Sequence, residues 1–138
     1  MKGQDTLFSK NHDNWSTPKD LILKLEKEFG QFTFDPCPLR GENSEDGLKM
    51  DWKGLVFLNP PYSNIKEWIE KALFHFNRGD CKVIIILLPA RTDTKWFHEL
   101  VYKKIETRFL KGRLKFGDSK NSAPFPSMLL ILTKKFNP

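Results

Sequence analysis

Val83-Ile84-Ile85-Ile86-Leu87-Leu88 decides the fold of this chain. A strand with one face in water alternates apolar and polar residues. This one is apolar at every position, so both of its faces need cover. It therefore predicts a central strand in a parallel sheet flanked by helices on both sides. Upstream, Leu55 to Leu58 is a second apolar run that ends abruptly at Asn59-Pro60-Pro61. A helix is expected between the two, from about Asn64 to Asn77. Asn64 and Glu67 have capping-box spacing, and Ile65, Trp68, Ile69, Ala72, Leu73 and Phe76 supply one apolar face.

Further upstream, Thr17-Pro18 predicts a helix start, with Thr17 as cap, Pro18 in the first helical position and Asp20 completing a capping box. Leu21, Leu25 and Phe29 share its apolar face with Ile22 beside them, and Gly30 stops it. Phe32 to Asp35 reads as a short strand, and residues 38–51, rich in Gly, Glu, Asn and Asp, as a loop. Downstream, Asp93 to Tyr102 predicts a helix with Trp96, Phe97, Leu100 and Val101 inward. Phe109 to Leu110 and Leu114 to Phe116 read as strands joined through Gly112, and Met128 to Thr133 as the last strand. Strand and helix alternate up to residue 102, and only strands follow. That order predicts an α/β fold with a mostly parallel sheet and an antiparallel C-terminal edge. Residues 1–14 are polar and aperiodic and read as a loose arm, leaving 15–138 as a single domain.

The 138 residues suit one domain, and 39% hydrophobic against 29% charged residues is a globular balance that argues against wholesale disorder. The longest apolar run is too short to cross a bilayer, and the first residues carry no secretory pattern. The Asn14-Trp15-Ser16 sequon is therefore read as incidental. Cys37 and Cys81 make neither a disulfide framework nor a metal cluster, and His12, His75 and His98 have no metal-ligand spacing. No metal is expected, and a cytoplasmic chain with reduced thiols is the default. The net charge of +6 is unevenly spread. From Lys103 onward there are nine Lys/Arg and two acids, against 14 basic and 15 acidic groups before it. Such a patch suits a phosphate backbone, although a merely solubilising surface has the same composition.

Three strand ends carry candidate chemistry, because ligands of open α/β sheets bind at the carboxyl ends of strands. Asn59-Pro60-Pro61-Tyr62 follows the first buried strand. An amide oxygen and an outward backbone carbonyl can accept hydrogen bonds from both N–H groups of a planar amine such as that of adenine. The amine nitrogen, whose lone pair is delocalised into the ring, can then become tetrahedral and attack a methyl group. The Pro-Pro pair keeps the carbonyl out of any ladder, and the Tyr62 ring offers a flipped base a stacking surface. Asp35-Pro36-Cys37 ends the short strand, where a carboxylate can bind an ammonium or a ribose hydroxyl, or simply start a turn. Ala90-Arg91-Thr92-Asp93-Thr94 follows the central strand. Arg91 can hold a phosphate or carboxylate, or sit in a solvated helix start capped by Asp93. Arg113 and Lys115 in Gly112-Arg113-Leu114-Lys115-Phe116 can grip DNA. Phe125 in Ala123-Pro124-Phe125-Pro126-Ser127 can wedge or stack, unless the pair is an ordinary hairpin with a Pro-rich turn. His75 and His98 read as structural or exposed.

These segments together resemble the phage-type Dam family of DNA N6-adenine methyltransferases over nearly the whole chain, from Trp15 to about Phe136. Trp15-Ser16-Thr17-Pro18, Phe34-Asp35-Pro36-Cys37, Asn59-Pro60-Pro61-Tyr62, Leu88-Pro89-Ala90-Arg91-Thr92-Asp93-Thr94 with Trp96-Phe97-His98, Gly112-Arg113-Leu114-Lys115-Phe116 and Pro124-Phe125-Pro126-Ser127 carry the likeness, in that order. The resemblance implies an abbreviated Rossmann-like methyltransferase fold. It also implies S-adenosyl-L-methionine as cofactor and double-stranded DNA as partner, in the cytoplasm of a bacterial host. It assigns Asn59, Pro60, Pro61 and Tyr62 to the target base and Thr17, Pro18, Asp35, Pro36 and Cys37 to the cofactor. Arg91, Thr94, Arg113, Lys115, Phe125 and Ser127 are candidate DNA contacts. Two departures stand out. Pro36-Cys37-Pro38 replaces the usual glycine-rich turn, and only 23 residues separate Asp35 from Asn59, so the cofactor pocket must be shortened. Asp51, followed by Trp52, is a candidate to take over part of the adenosine contact, and the loops at 38–51 and 117–126 are candidates for sequence specificity. The same tetrapeptide chemistry suits RNA bases or protein glutamine, and a degenerate fold of this kind can bind DNA without catalysis.

Overall fold

The computed structural model describes residues 16–38, 46–117 and 121–134. The N-terminal arm with His12, Trp15, the loop interior 39–45 with Gly41, and Asp118, Lys120, Lys135 and Phe136 lie outside the described residues. Helix α1 spans Lys19–Phe29, strand β1 Gly54–Leu58, helix α2 Ile65–Arg78, strand β2 Cys81–Pro89, strand β3 Glu106–Phe109 and strand β4 Ser127–Thr133. Short 3-10 turns occupy Asp46–Lys49 and Tyr62–Asn64, and a single π-helical turn covers Phe97–Val101.

The sheet order is β1-β2-β4-β3. β1 runs parallel to β2, pairing Leu55 with Val83 through Leu58 with Ile86. β4 runs antiparallel to both β2 and β3. The reversed strand therefore lies one place inside the expected antiparallel edge, and β3, which runs the same way as β1 and β2, takes the outside. The physical reason is in the side chains. Ser127 to Leu132 are all buried, so β4 needs neighbours and cover on every side. Glu-Thr-Arg-Phe in β3 is only half-buried and tolerates an edge.

β2 divides the core as its composition requires. Ile84, Ile86 and Leu88 pack with Trp68, Ile69 and Ala72 of α2, with Trp52, and with Phe97 and Val101 of the π turn. Ile85, Leu87 and partly buried Val83 face the other way, onto Leu25, Leu21, Ile22 and Phe29 of α1 and onto Phe57, Phe116 and Ala123. Covered on both faces, the sheet buries this strand as expected.

Several boundaries move for local reasons. Pro18 has ψ 135° and is the cap residue, so α1 starts one residue later than expected, and Thr17 does not cap it. Asn64 makes no capping bond either. Its amide donates to Glu67 Oε1 (3.1 Å) and accepts from Trp68 Nε1 (3.2 Å). The Phe32–Asp35 strand shrinks to one parallel bridge between Phe34 and Val56. Residues 114–116 form no strand, and the loop is held by a bond from Ala123 N to Leu114 O (2.8 Å) and by burial of Phe116. The 93–102 helix starts only at Lys95 and widens at once, with Tyr102 N donating to Phe97 O at 2.8 Å.

His75 is fully buried, a placement the sequence left open. Its ring stacks on Trp52 (5.8 Å between centroids), which in turn stacks on Trp68 (6.1 Å). His75 Nδ1 meets Asp80 Oδ2 at 2.7 Å, and Arg78 meets the same oxygen at 2.8 Å. These hydrogen bonds, that of His75 first, hold the Asp80 carboxyl below the usual carboxylate range. A carboxyl lowered on folding stabilises above its ordinary value, and that contribution is lost as pH falls through the lowered one. Asp80→Asn is therefore expected to melt earlier than the parent at neutral pH and to lose less stability between about pH 5 and about pH 2. Thermal melts across that range check it, and an unchanged acid slope would refute the assignment.

Arg108 ties the edge strand to α1. Its guanidinium donates to both Glu28 oxygens (2.8 and 2.7 Å) and to Glu106 (3.1 Å), and lies over the Phe29 ring. Among the described residues no helix is long and apolar enough to cross a membrane.

Candidate active site

Three stretches distant in sequence meet at the carboxyl end of β1. Asn59 follows Leu58 directly and is 5% exposed, with its side-chain oxygen screened from solvent. Pro60 and Pro61 are buried and Tyr62 is half-buried. The parallel bridge at Phe34, with Phe57 N donating to Phe34 O (3.2 Å), runs Asp35-Pro36-Cys37 alongside the end of β1. Adjacent strands lie about 4.8 Å apart, so the first two strand ends are immediate neighbours. The third stretch is the approach to α1, where Thr17 Oγ1 accepts a bond from Asn59 Nδ2 at 3.0 Å.

The loop after β3 closes the other side. Gly117 N donates to Ser16 O (2.9 Å). The Tyr62 ring meets Phe125 edge-on, with centroids 5.5 Å apart and planes at 86°, and Phe125 lies 6.2 Å from Phe116. Tyr62 and Phe125, two rings named separately from the sequence, thus form one aromatic wall beside Asn59. Arg113 and Lys115 are exposed on the same loop.

Asp35 is exposed, and its Oδ1 accepts from Cys37 N at 2.9 Å. Cys37 is buried, which together with the Asp35 charge pushes its thiol up to about 12. It stays protonated at neutral pH and offers no nucleophile. Cys81, also buried, is raised to about 11 and is equally inert. Gly47 packs the following 3-10 turn directly under Pro36, leaving no room for a side chain.

At the end of β2, Arg91 is exposed. Thr94, rather than Asp93, caps the following turn. Its hydroxyl donates to Arg91 O (2.8 Å) and accepts from Phe97 N (3.3 Å). Ser127 is 1% exposed, paired with Pro89 in the sheet. Asp51 is exposed on the stretch entering β1, at the opposite end from Asn59. Trp52 is buried, with its indole N–H on Gly47 O (2.8 Å) beneath the Asp35-Pro36-Cys37 turn. The Thr17–Asn59 and Ser16–Gly117 contacts had no signal in the sequence, since nothing in residue spacing reports a bond across 42 positions.

Similarity to known proteins shows the family. The family described as DNA N-6-adenine-methyltransferase (Dam) matches residues 4–137. The DNA N-6-adenine-methyltransferase of Escherichia phage T1 is 33% identical over 112 residues, which is 74% of this chain and 46% of that relative. The chain thus spans about half the length of the curated relative it matches. No solved structure matches it significantly. The strand-tip tetrapeptide and the match over nearly the entire sequence lead to one conclusion: the chain belongs to the Dam family of DNA N-6-adenine-methyltransferases.

Proposed function

We propose that this chain methylates the exocyclic amine of adenine in DNA, using S-adenosyl-L-methionine on an abbreviated Rossmann-like fold. The observation that carries the reading is the oriented Asn59 amide at a strand tip, beside the Tyr62–Phe125 wall. The donor set suits the cofactor. Asp35 offers a carboxylate for an ammonium or ribose hydroxyls, and α1 begins beside Thr17-Pro18 with the positive end of its dipole, which suits a carboxylate. Asp35 and the Thr17-Pro18 segment would hold it, with Pro36 and Cys37 forming the buried floor. When bound, the cofactor supplies a methyl group activated by a positively charged sulfur.

The chain's own residues prepare the acceptor. Asn59 Oδ1 and the Pro60 carbonyl accept hydrogen bonds from the two amine N–H groups, so the nitrogen lone pair localises toward the incoming methyl group. Tyr62, backed by Phe125, replaces the base's lost stacking partners. Arg91, Arg113 and Lys115, all exposed, supply phosphate contacts, with exposed Lys111 on the loop after β3 beside Arg113. Arg108 is not part of that surface, because two glutamates already hold it.

The test is direct. DNA incubated with the protein and isotopically labelled S-adenosylmethionine is digested to nucleosides and analysed by mass spectrometry. Labelled N6-methyladenine is expected. Label appearing only in RNA or protein, or none at all, would overturn the proposal.

A further inference from the structure

A groove opens between the π turn and the edge strand, on the face of the sheet away from α1. Its volume is about 460 Å³, a size that suits a small planar ligand. Phe97, His98 and Tyr102 of the turn form one wall. Ile105, Thr107 and Phe109 form the other, as alternate residues along β3 and its entry must when they share a face. Glu106 and Arg108 turn to the opposite face, where Arg108 holds Glu106 and Glu28. The stretch Trp96-Phe97-His98 has no part in the site around Asn59, and this groove is where it surfaces.

The walls are aromatic and partly uncovered. Phe109 is 61% exposed and Tyr102 51%. The Tyr102 ring stacks on Phe97, with centroids 6.1 Å apart and planes at 29°. The His98 ring stands against both, at 5.5 and 5.7 Å, with its Nε2 2.8 Å from Thr92 O. Lys103 has φ 63°, a left-handed conformation that lysine rarely adopts, and its ammonium lies 5.5 Å from the Tyr102 ring centre. The lining thus holds one ammonium and no carboxylate. Exposed rings beside a cation suit a nucleobase with its phosphate, because every base has a face that stacks. A second copy of this chain would bring like charge to the same rim, since the chain carries +6.

The groove also lies at the reacting end of the sheet. β3 runs the same way as β1, so Phe109 sits at the same end as Asn59, three strand spacings or about 14 Å across. The loop that leaves Phe109 carries exposed Lys111, Arg113 and Lys115 and returns to Gly117, whose N–H bonds Ser16 O next to Thr17. Groove and site are therefore joined by a basic stretch that a DNA strand can follow.

We propose that this groove is a second base-binding site, in which a base of the substrate DNA other than the target adenine stacks against Tyr102 and Phe109. This rests on the reading of DNA as substrate and adds to it a contact that fixes the strand at a distance from Asn59. The probe is a fluorescently labelled DNA duplex with a central mismatched bubble, which offers both paired and unstacked bases. Phe109→Ala and Tyr102→Ala are each expected to bind it about tenfold more weakly by anisotropy, as loss of one base–ring stack implies. Tyr102→Phe keeps the ring and should bind like the parent. The slope of affinity against salt should stay unchanged in the alanine variants, whereas Lys103→Gln should lessen it by about one. With 5-iodouracil in the bubble, irradiation should cross-link the parent at Tyr102 or Phe109, read by peptide mass spectrometry.

Parent affinity in both alanine variants, cross-links confined to other residues, or losses that track a lower melting temperature would overturn the proposal. So would a parent dimer in sedimentation that both variants dissolve, because the groove would then be a contact between copies. If the expected binding losses and cross-links occur without methyl transfer, the methylation reading fails and the groove stands. Labelled N6-methyladenine together with parent affinity in the variants keeps that reading and removes the groove.

Discussion

Asn59→Ala is expected to lower kcat for methyl transfer to DNA by about 10²–10³-fold, the loss typical of one preorganised acceptor or donor at a reacting centre. Affinity for S-adenosylmethionine should stay within about threefold, because Asp35 and the start of α1, not Asn59, are assigned to it. Truncation also takes a donor from Thr17 in a buried setting, at a cost of about 1 kcal/mol. That cost is small against the stability of a domain of this size, so the variant should remain folded at assay temperature. Single-turnover rates, calorimetry and a thermal melt separate the three effects. A variant that methylates at the parent rate removes Asn59 from the chemistry. One that fails to bind cofactor moves it into the cofactor pocket.

Gly47→Ala is expected to act in the opposite way, through the fold. A Cβ at this position would lie 1.9 Å from the Pro36 carbonyl oxygen and 2.9 Å from the Trp68 ring. Neither neighbour gives way easily. Pro36 is backbone beside the end of β1, and Trp68 is fully buried against the sheet. The 3-10 turn or the Asp35-Pro36-Cys37 turn must shift, at a cost of about 3 kcal/mol. Urea melts should show that loss. If the Asp35 turn is the part that shifts, affinity for the cofactor should fall as well, while kcat at saturating cofactor stays near the parent value. Parent-like stability in Gly47→Ala would mean that the close approach of Gly47 to Pro36 is not a feature of the folded protein. The two substitutions thus separate the reacting end of the site from its floor.

How much of this was legible beforehand differs by element. The apolar runs of β1 and β2 and the apolar stripe of α2 were readable because burial on one or both faces leaves a period in the residues themselves. Asn59-Pro60-Pro61-Tyr62 was readable because two prolines end a strand wherever they occur, so the motif lands at a strand tip without knowledge of the rest. The cap was misplaced at Thr17, whose side chain meets Asn59 while Pro18 takes the cap position; Asn64 is the cap residue as expected, but its side chain bonds Glu67 and Trp68 instead of the backbone.

Local periodicity and backbone chemistry thus determined from the sequence alone that this is an α/β chain with a polar strand tip and a basic C-terminal surface. Tertiary structure decided the place of β4 between β2 and β3, the burial of His75 under Trp52, the commitment of Arg108 to Glu28, and the meeting of Thr17, Asn59, Tyr62 and Phe125. Each of these depends on which surfaces face one another after the chain has folded back across tens of residues. That choice is made by the competition of all buried faces for cover, and no single segment records it.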